Sequence, residues 1–324
     1  MRRFLLGFLA WTWLAAAPPA PAAVWIWETE AFRLLEEHAW AAEVTASLRA
    51  RGVGTLYLYA DSSEDGGPLR DAPARYRALL ASLHRQGFEV EALLGSASLH
   101  SHSYVLPERT AAARSMLQRV LDYNREAAPR ERFDGVHLDI EPYALAAWND
   151  HTRGTLAIRY LDRSAEWMAM SRAADPALRV GAAIPFWYDG LVVAWRGRRR
   201  PMNEHVQDLY DYVALMDYRN RAEGQDGIVA HALPELAYGD RIGRPVVIGL
   251  ETGPAEPAKI TFHGLGPAAL GREMTEAQAR FATHRSFAGF ALHHLGTWMA
   301  LVAEPGVRPT EPAGSGVSPR EPRP

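Results

Sequence analysis

The chain is predicted to fold as an α/β protein, a single-domain (β/α)8 TIM barrel, and three observations lead there. Eight short β-rich runs alternate with longer amphipathic stretches, the pattern of a parallel sheet with helical crossovers. Eight is also the number of strands that closes a barrel. The 324 residues suit one such barrel with short extensions, and no glycine-rich phosphate loop follows the first run, as an open dinucleotide-type sheet would require.

The strand runs are Val24–Glu28, Thr55–Asp61, Glu89–Leu94, Gly135–Glu141, Arg179–Pro185, Tyr210–Tyr218, Val246–Glu251 and Gly289–Leu292. Helical patterning is clearest over Ala31–Arg51, Ala74–Gln86, Glu108–Glu126 and Gly154–Ala174. Active sites of such barrels gather at the C-terminal ends of the strands. Those ends read Glu28, Asp61, Ser96, Glu141, Phe186 with Trp187, Tyr218, Glu251 and His293. This is a ring of acids and aromatics where a packing face would be aliphatic.

The two ends of the chain differ from its body. Arg2 and Arg3 precede an apolar stretch from Phe4 to Ala17, and Ala20-Pro-Ala-Ala23 supplies small residues for cleavage after Ala22 or Ala23. Residues 1–23 are therefore expected to be a signal peptide and the protein secreted or periplasmic; an uncleaved anchor is the alternative. No membrane span is expected in the mature chain. Residues 24–303 form the expected barrel domain, and the Pro- and Gly-rich segment 304–324 reads as a disordered tail. No cysteine is present, so no disulfide or thiolate chemistry is available. The net charge of −3 gives no electrostatic case for nucleic acid. Arg196-Gly-Arg-Arg-Arg200 is the one basic cluster and is expected to be a solvated loop.

The fourth run carries the sharpest signal. Side chains along a strand alternate between faces. Val136, Leu138 and Ile140 can pack beneath the helices, so His137, Asp139 and Glu141 must point into the barrel and rise toward its mouth. Interior layers are normally branched aliphatics, and three ionisable groups there are costly unless they serve a site. Crowded, buried carboxyls hold on to a proton, which is what a general acid requires.

Asp134-Gly-Val-His-Leu-Asp139-Ile-Glu141 resembles the fourth-strand signature of family 18 glycoside hydrolases, the chitinase-like barrels, whose pattern is Asp-x-x-Asp-x-Asp-x-Glu. Val180–Pro185 resembles the fifth strand of that family, Tyr210–Tyr218 its sixth with a Met-x-Tyr pair, and Gly289–Leu292 with Trp298 its eighth. The resemblance covers the second half of the barrel. It implies that Glu141 protonates the glycosidic oxygen while the substrate's own acetamido oxygen attacks the sugar. By the same resemblance Asp139 would orient that acetamido group, Tyr218 would hydrogen-bond to it, and Trp298 would form a stacking floor. The implied partner is an amino-sugar polymer or oligosaccharide bound by a monomer, with no cofactor and no metal. Two positions depart from the family: His137 stands where it has its middle Asp, and Arg219 stands where an Asp follows the sixth-strand Tyr. His137 could hold Asp139, and Arg219 could bind an anionic substituent.

Three alternatives share these residues. A two-Glu retaining glycosidase would pair Glu141 with Glu251. A metal-dependent hydrolase would recruit His100, His102, His293 and His294 with Asp139 or Asp61. A non-catalytic carbohydrate-binding barrel would rely on aromatic platforms, for which Trp25, Trp27, Tyr57, Tyr59, Trp187, Tyr188 and Trp298 are candidates. Substrate contacts are expected from His137, Trp27, Tyr59, Trp187, Glu251, Arg219 and Trp298.

Overall fold

The computed structural model describes residues 22–61 and 66–303. The expected signal peptide, except for Ala22 and Ala23, and the expected tail lie outside the described residues. The described strands are β1 (Ala23–Ile26), β2 (Thr55–Tyr59), β3 (Glu89–Leu94), β4 (Gly135–Leu138), β5 (Arg179–Pro185), β6 (Val192–Trp195), β7 (Arg198–Pro201), β8 (Tyr212–Met216), β9 (Val246–Glu251) and β10 (Phe287–His293). The described α-helices are α1 (Glu28–Glu36), α2 (His38–Ala50), α3 (Pro68–Asp71), α4 (Pro73–Arg85), α5 (Thr110–Glu126), α6 (Arg153–Ala174), α7 (Met202–Leu209), α8 (Ile228–Ile242), α9 (Pro267–Phe281) and α10 (Leu295–Ala303).

Eight strands close a barrel in the order β1-β10-β9-β8-β5-β4-β3-β2, and every neighbouring pair is parallel. All eight strand runs read from the sequence are barrel strands. The run Gly135–Glu141 leaves the ladder after Leu138, which frees Asp139 and Glu141 for the mouth. Ala31–Arg51 is two helices rather than one, broken at Glu37 (φ −107°, ψ 80°).

The basic cluster is not the expected loop. Arg196 and Gly197, with φ of 47° and 76°, make the two-residue turn of the antiparallel hairpin β6–β7. Trp195 points inward and donates to Asp162 at 2.8 Å, and Arg200 is held by Asp208 and by the Tyr238 hydroxyl at 2.6 Å. Arg196, Arg198 and Arg199 alone remain exposed.

The barrel interior is an interlocked plug of large and absent side chains. Trp25, Tyr57, Leu93, Tyr212, Ala214, Val247 and Ala291 form its apolar cluster. Glycines supply the facing space. A Cβ on Gly181 would lie 2.1 Å from the Tyr212 ring, one on Gly249 3.0 Å from the Trp25 indole, and one on Gly135 3.0 Å from the Glu91 carboxyl.

A chain of polar contacts threads this plug. The Trp25 indole N–H donates to His137 Nε2 at 3.2 Å. That fixes the proton on Nδ1, which meets the Tyr212 hydroxyl at 2.7 Å, and Tyr212 donates onward to Glu91. Arg179 stands 3.7 Å from Glu91.

Burial, and then Arg179, push the His137 pKa down to about 3, whereas burial pushes Glu91 up to about 8. The two groups act on stability in opposite senses. Neutral His137 contributes stability that is complete above its ordinary value of 6.5 and is lost as pH falls toward 3. Protonated Glu91 contributes stability that is complete below its ordinary value of 4.5 and is lost as pH rises through 8. The summed contribution of these two groups is level between pH 4.5 and 6.5 and falls away on both sides. Calorimetry from pH 3 to 9 checks this: Glu91→Gln should lose less melting temperature than the wild type as pH rises from 4.5 to 8.

Candidate active site

The site forms where β4 ends. The Asp139 N–H still donates to Leu94 O at 2.7 Å, so the ends of β3 and β4 stay in contact. Gly95 allows this approach: its φ is 131°, and a Cβ there would fall 1.9 Å from Asp139 O. The Asp139 side chain turns into the barrel, only 8% exposed, and its Oδ1 has no hydrogen-bond partner among the described residues. Burial first, and then the Glu141 charge, raise the Asp139 pKa well above the usual carboxylate range. Two neighbouring carboxyls in such a place retain a proton between them.

Glu141 is half-buried and accepts a hydrogen bond from the Tyr143 hydroxyl. Tyr143 in turn lies edge-on to Trp187 (5.2 Å between ring centroids), Tyr188 (6.3 Å) and Trp148 (6.5 Å). Trp187 is 37% exposed, so this cluster presents an aromatic face beside the acid pair. Opposite stands Tyr218 on the segment after β8. Its phenol is pushed up by burial first, and then by the charges of Glu251, Asp139 and Glu141.

Glu251 ends β9 fully engaged. Oε1 accepts the Gly253 N–H at 2.6 Å, and Oε2 meets His293 Nδ1 at 2.7 Å. The Trp27 indole donates to His293 Nε2 at 3.0 Å, which again assigns the imidazole proton to Nδ1. Trp27, His293 and Glu251 are thus one tied row on the far wall.

The structure brings Glu141, Asp139, Tyr218, Glu251, Trp27 and Trp187 to the mouth, but it corrects four expected contacts. His137 is wholly buried, stacked on Tyr57 at 3.9 Å, and spends both nitrogens on Trp25 and Tyr212. It can neither hold Asp139 nor reach a ligand. Trp298 lies on α10, 3% exposed within the layer between barrel and helices, and offers no face to a sugar. Tyr59 is 4% exposed, packed edge-on to Phe32 of α1, and offers almost no surface to a ligand. Arg219 is spent on Asp226 at 2.7 Å, on Tyr218 O at 2.7 Å, and on the face of Phe186.

Sequence reasoning missed Tyr143, Trp148 and the Trp25–His137–Tyr212–Glu91 chain. Tyr143 had a signal in its position two residues after the acid. The chain had none, because its members lie on four different strands. Among the described residues no group of three or more His, Asp or Glu side chains is arranged to hold a metal ion. Both ring nitrogens of His293 are engaged, one by Trp27 and the other by Glu251. No described helix is long and apolar enough to cross a membrane.

No protein-family model and no curated protein matches the chain. Solved structures do. A plant class V chitinase mutant from Cycas revoluta, in complex with (GlcNAc)3, superposes with a TM-score of 0.55 at 13% identity, covering 87% of this chain and 97% of that one. A protein from Bacteroides thetaiotaomicron, provisionally assigned as an alpha-L-fucosidase, gives 0.53 at 11% identity over 90% and 91% of the two chains. Catalytic domain 2 of the Ostrinia furnacalis Group II chitinase aligns over 62% of this chain at 14% identity and a TM-score of 0.41; the chain spans only 56% of that structure. At such identities the likeness is one of fold: the chain is a (β/α)8 barrel similar in fold to these proteins.

Proposed function

We propose that the protein is a glycosidase acting on an amino-sugar-containing glycan, with Glu141 as general acid and the substrate's acetamido group as the internal nucleophile. The observation that carries this reading is the Asp139–Glu141 pair. A buried carboxyl with a free oxygen and a raised pKa sits beside a half-buried carboxyl at the mouth of the barrel. Glu141 delivers its proton to the glycosidic oxygen as the bond breaks. The free Oδ1 of Asp139 accepts the acetamido N–H and directs the acetamido oxygen at the anomeric carbon. The Tyr218 hydroxyl, kept protonated by its surroundings, donates to that oxygen. Trp187 supplies the stacking face for a neighbouring ring. The apolar stretch Phe4–Ala17 followed by the small residues Ala20–Ala23 supports reading the protein as exported, a secreted or periplasmic enzyme.

The two-Glu alternative has less support, because both oxygens of Glu251 are already committed within the protein. A pure carbohydrate-binding barrel would have no use for an acid pair at its mouth. Hydrolysis of 4-methylumbelliferyl di-N-acetylchitobioside tests the proposal. Acetamido assistance predicts turnover of this substrate, none of its fully de-N-acetylated counterpart, and inhibition by a thiazoline mimic of the cyclised acetamido intermediate. Equal turnover of both substrates would overturn the mechanism. No turnover of any N-acetylated oligosaccharide would overturn the substrate class.

A further inference from the structure

We propose that Tyr143 is the positioning residue of this site, holding Glu141 from the mouth because β4 offers no support from below. The assignment rests on the glycosidase reading. A general acid must be held within reach of the oxygen it protonates, and a half-buried Glu side chain has three rotatable bonds with which to leave. In a strand that points three polar residues inward, the lowest can brace the next, and that the third. Here the bracing stops early. His137 faces the plug, with one nitrogen on Trp25 and the other on Tyr212. Asp139 therefore receives nothing from beneath, and its Oδ1 lacks a partner among the described residues.

The hydrogen bond that Glu141 makes comes from the opposite direction. Pro142–Ala144 forms a single 3-10 turn immediately after the acid, and this turn folds the Tyr143 hydroxyl back onto Glu141 Oε1. The phenol is a donor of fixed length on a rigid ring, and that ring is wedged edge-on against Trp187, Tyr188 and Trp148. Tyr188 is buried and anchors one side of the ring, whereas Trp187 is exposed and can take a sugar. A ring stacked on Trp187 presses on the same cluster that sets the Tyr143 hydroxyl. The acid is thus steadied most when the neighbouring subsite is filled.

A donor to the carboxylate also favours its charged form, so removing it should let the acid keep its proton to higher pH. A residue that merely packs would not produce that change. With 4-methylumbelliferyl di-N-acetylchitobioside as substrate, Tyr143→Phe is expected to lower kcat about tenfold with KM within about twofold, and to move the alkaline limb of the pH profile upward. Trp187→Ala is expected to raise KM several-fold and leave the limb in place. Tyr143→Phe with wild-type kcat and an unmoved limb overturns the proposal while leaving the glycosidase reading intact.

A second measurement needs no turnover. In protein labelled at tyrosine Cζ, the Tyr143 signal, identified by its absence from Tyr143→Phe, should titrate in the wild type and be flat in Glu141→Gln. The same response in both proteins overturns the proposal whether or not the chain hydrolyses the substrate. A wild-type chain that turns over no substrate sinks the glycosidase reading, and the labelled-tyrosine comparison then still decides whether Tyr143 holds Glu141.

Discussion

Glu141→Gln is expected to lower kcat on a di-N-acetylated chromogenic or fluorogenic glycoside by about 10³-fold. The amide has the shape of the carboxyl and can still accept the Tyr143 hydroxyl, so the melting temperature should stay within about 2 °C of wild type. The loss should depend on the leaving group. A glycoside whose aglycone departs without protonation should retain more activity in the variant than a natural disaccharide does. Residual activity within tenfold of wild type on every substrate would place the acid elsewhere. Glu251 would then be the group to replace next, although its two oxygens are held by Gly253 and His293.

The second large effect concerns the plug rather than the chemistry. Gly181→Ala should destabilise the protein by about 3 kcal/mol, because an added methyl would overlap the Tyr212 ring in a closed barrel with nowhere to yield. Tyr212 would have to swing away, breaking its contacts with His137 and with Glu91 and stranding both groups in the interior. A fall in melting temperature of roughly 6–12 °C is expected for a barrel of this size. Shortening the tyrosine in the same molecule, as in Gly181→Ala with Tyr212→Val, should cost less than the two single changes added together. An unaltered melting temperature for Gly181→Ala would show that the interior is looser than its contacts imply.

Much of the fold was legible in the residues. Each of the eight barrel strands is a local run of β-formers between amphipathic helices, and the pattern repeats often enough to identify a closed parallel sheet. The hairpin β6–β7 was not legible, because its inward residues are few and its outward ones mix Val192 and Ala194 with Arg198 and Arg199. Only the Arg196–Gly197 turn marks it, through backbone torsions that a composition-based reading does not weigh. At the site, Asp139 and Glu141 followed from two-residue alternation, which is local. The fate of His137 depended on Trp25, more than a hundred residues away, and on Tyr212, further along on a non-neighbouring strand. Trp298 was misplaced for a related reason. An aromatic near a strand end can face the mouth or the helix layer, and only packing against the surrounding helices decides between them.

The paired volumes inside the barrel, Tyr212 against Gly181 and Trp25 against Gly249, also bear on how such a sequence can drift. Either member changed alone carries a penalty, while a matched exchange of large for small across the gap keeps the same filled space. A change at either position is therefore tolerated best when its partner changes with it. Two chains built on this principle can share a backbone path while having few residues in common.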